Sequence, residues 1–157
     1  MKDIKSEKPD LLIIAIGNPS RGDDGLGWAF ADNIRAWQEK VFDIEYRYQL
    51  QVEDSELISR YGMVLFVDAS HTHYYEGSGV KKCTAARHYR FSSHAQSPEN
   101  ILYLSCRLYN KMPRAYILGI SGKVWDMKSE LSPKAQNNLG NAMKKFKVFL
   151  KRHLATV

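Results

Sequence analysis

The sequence predicts a three-layer α/β/α domain built on a twisted, mostly parallel five-stranded sheet with one antiparallel edge strand. Two observations lead to this fold class. Short, wholly apolar runs alternate with longer segments of about 3.6-residue periodicity, as in buried parallel strands joined by crossover helices. The connection between the runs at 63–67 and 80–84 is too short for a crossover helix, so the later strand is expected at an antiparallel edge.

The order of elements follows from these patterns and from the residues that begin helices. The predicted strands are 11–16, 42–48, 63–67, 80–84 and 115–120. Ser97-Pro98 and Ser132-Pro133 each place a capping hydroxyl before a proline, which is a strong signal for the start of a helix. The predicted helices are 25–39, 51–60, 98–110 and a long helix from 133, and 85–93 is a return segment between elements.

Composition limits the class of protein. Of 157 residues, 44% are apolar and 25% charged, which is ordinary for a globular protein. We expect a disordered lead-in over 1–9 and a single domain over 10–157. No apolar run approaches the ~20 residues that span a bilayer, and the N-terminus lacks a signal-peptide core. The two cysteines lack CxxC spacing and imply a reducing compartment, so we expect a cytoplasmic monomer with no membrane partner.

The net charge of +6 does not point to a nucleic-acid partner. Part of the excess lies in the predicted C-terminal helix, where lysines commonly form a solvated face, and no nucleic-acid-binding motif is present. A nucleotide-binding loop over 17–27 is disfavoured as well, because its glycines fit neither GxGxxG nor the P-loop. The adjacent carboxylates of Asp23 and Asp24 would also repel phosphate.

Polar residues follow the predicted strands at one edge of the sheet, where open α/β sheets bind ligands. The first strand leads to Asn18, Asp23 and Asp24, the strand 63–67 leads to Asp68, and His94 precedes a helix. Asp24, Asp68 and His94 are therefore expected to form one cluster. Carboxylate oxygens and an imidazole nitrogen suit nickel, zinc or iron with positions left open for substrate.

Each residue also has a simpler explanation when it is taken alone. Asp24 fits a helix cap, Asp68 a turn residue and His94 an exposed loop histidine. Only their joint placement favours a site. Asn18 is a candidate for holding a substrate carbonyl, and structural and functional roles are balanced for it. His71 and Tyr74, on the loop after Asp68, are the other candidate substrate contacts.

The chain resembles the [NiFe]-hydrogenase maturation endopeptidases from about Leu11 to Leu150. The motifs that carry the resemblance are Gly17-Asn18, Gly22-Asp23-Asp24-Gly25, Val67-Asp68-Ala69, Ser93-His94 and Leu131-Ser132-Pro133. The resemblance implies removal of a C-terminal extension from the nickel-loaded large-subunit precursor of a hydrogenase. By the same resemblance Asp24, Asp68 and His94 contact nickel that the substrate carries. The resting enzyme is then expected to be metal-free, and zinc or cadmium to substitute in vitro.

Peptide hydrolysis needs an activated water, a polarised carbonyl and a protonated leaving amine. Asp23 and Asp24 are the predicted catalytic residues, with Asp23 as the general base. On this hypothesis Asp23→Asn abolishes cleavage and leaves precursor binding intact. The alternative is a non-catalytic nickel-binding assembly or checkpoint protein, which would bind the precursor without shortening it.

Overall fold

Five strands form one sheet in the computed structural model, which describes residues 9–38, 41–89 and 95–154. The strand order is β2-β1-β3-β5-β4, with β4 antiparallel to β5 at an edge and all other pairs parallel. The predicted fold class is confirmed, while all but the last residue of the predicted lead-in lies outside the described residues. The strands are β1 (Leu11–Ile16), β2 (Asp43–Arg47), β3 (Met63–Ser70), β4 (Ser78–Cys83) and β5 (Arg114–Ser121).

Four α-helices within the described ranges cover the sheet. They are α1 (Leu26–Arg35), α2 (Asp54–Ser59), α3 (Pro98–Tyr109) and α4 (Pro133–His153). The last two begin where the serine-proline pairs predict, since Ser97 Oγ and Ser132 Oγ each accept a backbone hydrogen bond at 3.1 Å. None of the helices in the described ranges is long and apolar enough to cross a membrane.

The core has two halves, one on each face of the sheet. Leu65 and Val67 of β3 pack with α1 and α4, whereas Val64 and Phe66 pack with α2 and α3. Successive residues of a strand point to opposite faces, so this alternation assigns every position of β3 to a face. Asp68 continues it on the α2/α3 face.

Several predicted boundaries are wrong. The helix predicted over 25–39 ends at Arg35, because the chain must turn back to enter β2; Trp37 instead packs on Phe146 from outside the helix, with ring centroids 5.7 Å apart. Strand β3 extends to Ser70 because its pairing with β5 continues to Ser121. Asp68 therefore lies within a strand and not in a turn after it.

Gly27 of α1 packs directly against the backbone of β1 and β3. A Cβ there would collide with the carbonyl oxygen of Ile16 and lie 2.8 Å from that of Val67. We expect Gly27→Ala to lower the free energy of unfolding by about 1–3 kcal/mol, since backbone atoms on both sides must move. Urea unfolding followed by circular dichroism measures this.

Gly140 supplies the matched control. It is an exposed glycine of α4 with no atom within 4 Å of an added Cβ. Gly140→Ala should raise stability by about 0.5–1 kcal/mol through helix propensity alone. Equal effects of the two substitutions would contradict the close packing of α1 on β1 and β3.

Candidate functional site

A cavity of about 250 Å³ opens at the carboxyl ends of β1 and β2, beside the start of α3. It contains the two carboxylates of Asp24 and Asp68. A larger cavity of about 580 Å³ lies between β4 and α4, but its walls are basic and apolar and it has no pair of acids. Chemistry therefore favours the smaller cavity, which is lined by Ile16, Gly17, Asp24, Tyr48, Gln49, Leu50, Asp68, Ala95, Gln96 and Pro98.

The loop after β1 folds back on itself to place Asp24. Asn18 N–H donates to both the carbonyl and the carboxylate of Asp24 at 3.1 Å. Gly17 adopts φ +146°, and a Cβ there would collide with the Asp24 carbonyl oxygen. Gly25 occupies the N-cap of α1, which has no side-chain cap hydrogen bond, so Asp24 is not a helix cap. Its carboxylate is left to face the cavity.

Asp68 enters the cavity from β3. It lies one residue beyond the last β1–β3 pair, Ala15–Val67, and is half-buried on the α3 face. Burial, with a further contribution from the charge of Asp24, raises the pKa of Asp68 to about 7. Asp68 therefore takes up a proton more readily than an ordinary aspartate, and a cation bound between the two carboxylates would offset their repulsion.

Asp23 points away from this cavity. It is buried and accepts four hydrogen bonds, from the N–H groups of Lys123 (2.7 Å), Val124 (2.8 Å) and Ser132 (2.7 Å) and from Ser132 Oγ (2.7 Å). Burial raises the pKa of Asp23, but these hydrogen bonds outweigh it and hold the pKa below its ordinary value. A carboxylate with both oxygens engaged suits an anchor between loops better than a general base.

The other candidate residues lie around the cavity and do not line it. Asn18 Oδ1 accepts a hydrogen bond from Ser20 N–H at 2.9 Å, which closes a local turn. The ring of His71 stacks on Trp125 with centroids 3.9 Å apart, and the ring of Tyr74 lies over Gly119 of β5. None of the three predicted substrate contacts is a wall residue.

The predicted third member of the metal cluster, His94, lies outside the described residues. Ala95, where the description resumes, lines the cavity. Within the described ranges, no group of three or more His, Cys, Asp or Glu side chains is arranged to hold a metal ion. Asp24 and Asp68 are the two predicted metal ligands that the structure describes, and their carboxylate oxygens are hard donors. The nickel cluster stays a prediction.

Tyr48 is a wall residue that the sequence interpretation missed. Its side chain is 66% exposed and stacks on Trp28 with ring centroids 5.0 Å apart, while Trp28 Nε1 donates to the Arg47 carbonyl at 2.9 Å. Alternation placed Tyr48 in a strand, although β2 ends at Arg47. The signal for a site residue was an aromatic side chain directly beyond the carboxyl end of a parallel strand.

The chain is an α/β protein with a mostly parallel sheet, and it has a polar site with two carboxylates beyond the carboxyl ends of the strands. The structure has the fold of hydrogenase maturation proteases. It is similar to the hydrogenase maturating endopeptidase HybD from E. coli, with TM-score 0.70, 12% identity, and 90% of this chain and 92% of that chain covered. The [NiFe] hydrogenase maturation protease HycI from Thermococcus kodakarensis gives TM-score 0.68, 18% identity, and coverage of 95% and 97%.

A third similar structure is the hydrogenase 2 maturation peptidase from a Thaumarchaeota archaeon, with TM-score 0.67, 18% identity, and coverage of 90% and 97%. No protein-family model and no curated protein matches the sequence. At these identities the likeness is one of fold.

The Asp23 anchor has a pH signature. Asp23→Asn should lower the free energy of unfolding at pH 7 by about 2–4 kcal/mol, because an amide presents N–H to donors that need an acceptor. A lowered folded-state pKa gives stability that is present above the unfolded pKa near 4 and lost on acidification through the folded value. The difference in free energy of unfolding between wild type and variant should therefore shrink as the pH falls from 6 to about 2. A difference that is independent of pH would contradict this.

Asp68 should have the opposite signature. Its folded-state pKa is raised to about 7, so wild-type stability should fall as the pH rises from about 4 to 7 and then level off. Asp68→Asn removes this titration, so its free energy of unfolding at pH 8 should exceed that of wild type by roughly 1–3 kcal/mol. The difference is smaller than the full pKa shift would give, because Asp68 is partly exposed. Thermal unfolding of both proteins from pH 4 to 8 provides the comparison, and parallel curves would exclude the raised pKa.

Proposed function

We propose that this protein is an endopeptidase of hydrogenase maturation. It acts in the cytoplasm and removes a C-terminal extension from the nickel-loaded large-subunit precursor of a [NiFe]-hydrogenase. The observation that carries the proposal is the Asp24–Asp68 pair in a cavity at the carboxyl edge of a sheet whose fold is that of maturation proteases.

In this proposal nickel belongs to the substrate and serves for recognition. Asp24 and Asp68 would contact it with hard oxygen ligands, and His94 is the third proposed contact. A precursor without nickel would bring no cation to offset the repulsion between the two carboxylates that line the cavity. Docking would therefore favour the loaded precursor, which makes the carboxylate pair a checkpoint as well as a binding site.

The general-base role falls to the pair that faces the cavity and not to Asp23. A base must lie within hydrogen-bond reach of the attacking water, and Asp24 and Asp68 both line the space where substrate can enter. Asp23 has no exposed surface and already accepts four hydrogen bonds. It supports the site by fixing the loop that carries Asp24.

The cavity also has an aromatic wall that suits a peptide substrate. Tyr48 is held by Trp28, which forms a further edge-on contact with Tyr46 at 5.3 Å between ring centroids. A rigid, exposed aromatic surface contributes contact area at low conformational cost. The extended precursor tail would lie against Tyr48 on its way to the carboxylates.

The direct test uses purified protein with nickel-loaded and nickel-free large-subunit precursors, followed by intact mass spectrometry. We expect loss of a C-terminal peptide from the loaded form only. Binding of the precursor without shortening would establish the non-catalytic assembly factor instead. Shortening of both forms would retain the protease and remove nickel from recognition.

Asp24→Asn and Asp68→Asn should each lower kcat by about 10²–10⁴-fold in this assay, the usual contribution of a positioned acid or base. Asp32→Asn is the matched control, since Asp32 is an exposed carboxylate of α1 outside the cavity and accepts a hydrogen bond from Tyr46. Asp23→Asn, assayed where it is fully folded, should retain cleavage. If it is folded and inactive, the base role returns to Asp23.

A further inference from the structure

The ring of Tyr74 packs over the edge of the sheet, where Gly79 and Gly119 have no side chains to displace it. A Cβ at Gly79 of β4 would lie 2.8 Å from Tyr74 Cδ1, and a Cβ at Gly119 of β5 would lie 2.7 Å from the Tyr74 hydroxyl oxygen. Any larger residue at either position would displace the ring. The aromatic ring therefore starts above β4, and its hydroxyl ends above β5.

The strand register directs that hydroxyl toward Asp68. Gly79 pairs with Gly119, and Gly119 pairs with Asp68 in the neighbouring strand β3. Paired residues of adjacent strands project from the same face, about 4.8 Å apart. The Tyr74 hydroxyl and the Asp68 carboxylate consequently occupy adjacent strand positions on the α3 face, with the hydroxyl approaching from the side opposite β1.

The backbone of Tyr74 is held by hydrogen bonds, while its hydroxyl donates none to the residues that the structure describes. Tyr74 N–H donates to Ser121 Oγ at 3.1 Å, and Ser121 Oγ donates to the Thr72 carbonyl at 2.7 Å. Among the residues that the structure describes, none accepts a hydrogen bond from the Tyr74 hydroxyl, although the side chain is half-buried. By strand register this donor neighbours Asp68 at the edge of the cavity, where it can contact a ligand.

We propose that the Tyr74 hydroxyl donates a hydrogen bond to the carbonyl oxygen of the scissile peptide, which makes Tyr74 a catalytic residue of the Asp24–Asp68 site. This inference rests on the proposed endopeptidase function. The carboxylates of Asp24 and Asp68 only accept hydrogen bonds when they are ionised, so they cannot stabilise negative charge on that oxygen. The phenol supplies a donor that this pair lacks.

Hydrolysis then proceeds by addition of water and loss of the amine. Water adds to the carbonyl carbon as its proton moves to a carboxylate of the Asp24–Asp68 pair. The carbonyl oxygen gains negative charge and accepts the Tyr74 hydrogen bond, and Tyr74 keeps its proton throughout. The carbon–nitrogen bond breaks, the proton passes from the carboxylic acid to the leaving amine, and a new carboxyl group remains.

Tyr74→Phe tests the proposal, because it removes one oxygen and keeps the ring over both glycines. We expect kcat on the nickel-loaded precursor to fall by about 10- to 100-fold while KM stays within about twofold, the pattern of an interaction made only in the transition state. Tyr75→Phe is the matched control: its side chain is 88% exposed, and Lys145 Nζ donates to its carbonyl and not to its hydroxyl. That variant should match wild type.

Four results would overturn the role of Tyr74. Unchanged kcat in Tyr74→Phe removes it from the reaction, and a raised KM with unchanged kcat reduces it to ground-state binding. A shift of the acidic limb of the pH–rate profile, with kcat at the optimum preserved, makes it a positioning residue for Asp68 instead. If wild type itself leaves the loaded precursor intact, both the endopeptidase proposal and this one are wrong.

Discussion

The buried carboxylate of Asp23 joins segments that are far apart in the chain. Through four hydrogen bonds it fixes the loop after β1 to the segment after β5 and to Ser132 at the start of α4. Ser132 Oγ donates to Asp23 and accepts from Ala135 N–H, so a single hydroxyl serves the anchor and the helix cap. Asp24, the next residue in the chain, lines the cavity and takes no part in this anchor.

Asp23 and Asp68 illustrate how the environment of an aspartate decides its function. Hydrogen bonds stabilise the charge of Asp23 and lower its pKa despite burial. For Asp68, which lines the same cavity as Asp24, the backbone hydrogen bond from Ala69 does not offset burial and the charge of Asp24, so its pKa is raised. Asp23 is thereby kept ionised as a structural anchor, and Asp68 is left responsive to protons, cations or substrate.

The sequence was sufficient for the sheet, the edge strand and the starts of α3 and α4, because periodicity and capping residues are local signals. It also identified Asp24 and Asp68 as neighbours from the carboxyl-end rule. It could not predict the role of Asp23, because its partners Lys123, Val124 and Ser132 lie 100 to 109 residues away in the chain. Nor could it place Tyr74 beside Asp68, which depends on the register of three strands.

The position of β5 between β3 and β4 has a consequence for synthesis on the ribosome. Strand β4 precedes β5 in the chain, yet β5 is its sheet partner. A nascent chain that ends before Arg114 therefore leaves β4 exposed, with its hydrogen-bonding groups unpaired. The exposed side chains of Lys81 and Lys82 discourage association of that strand with other nascent chains until β5 arrives.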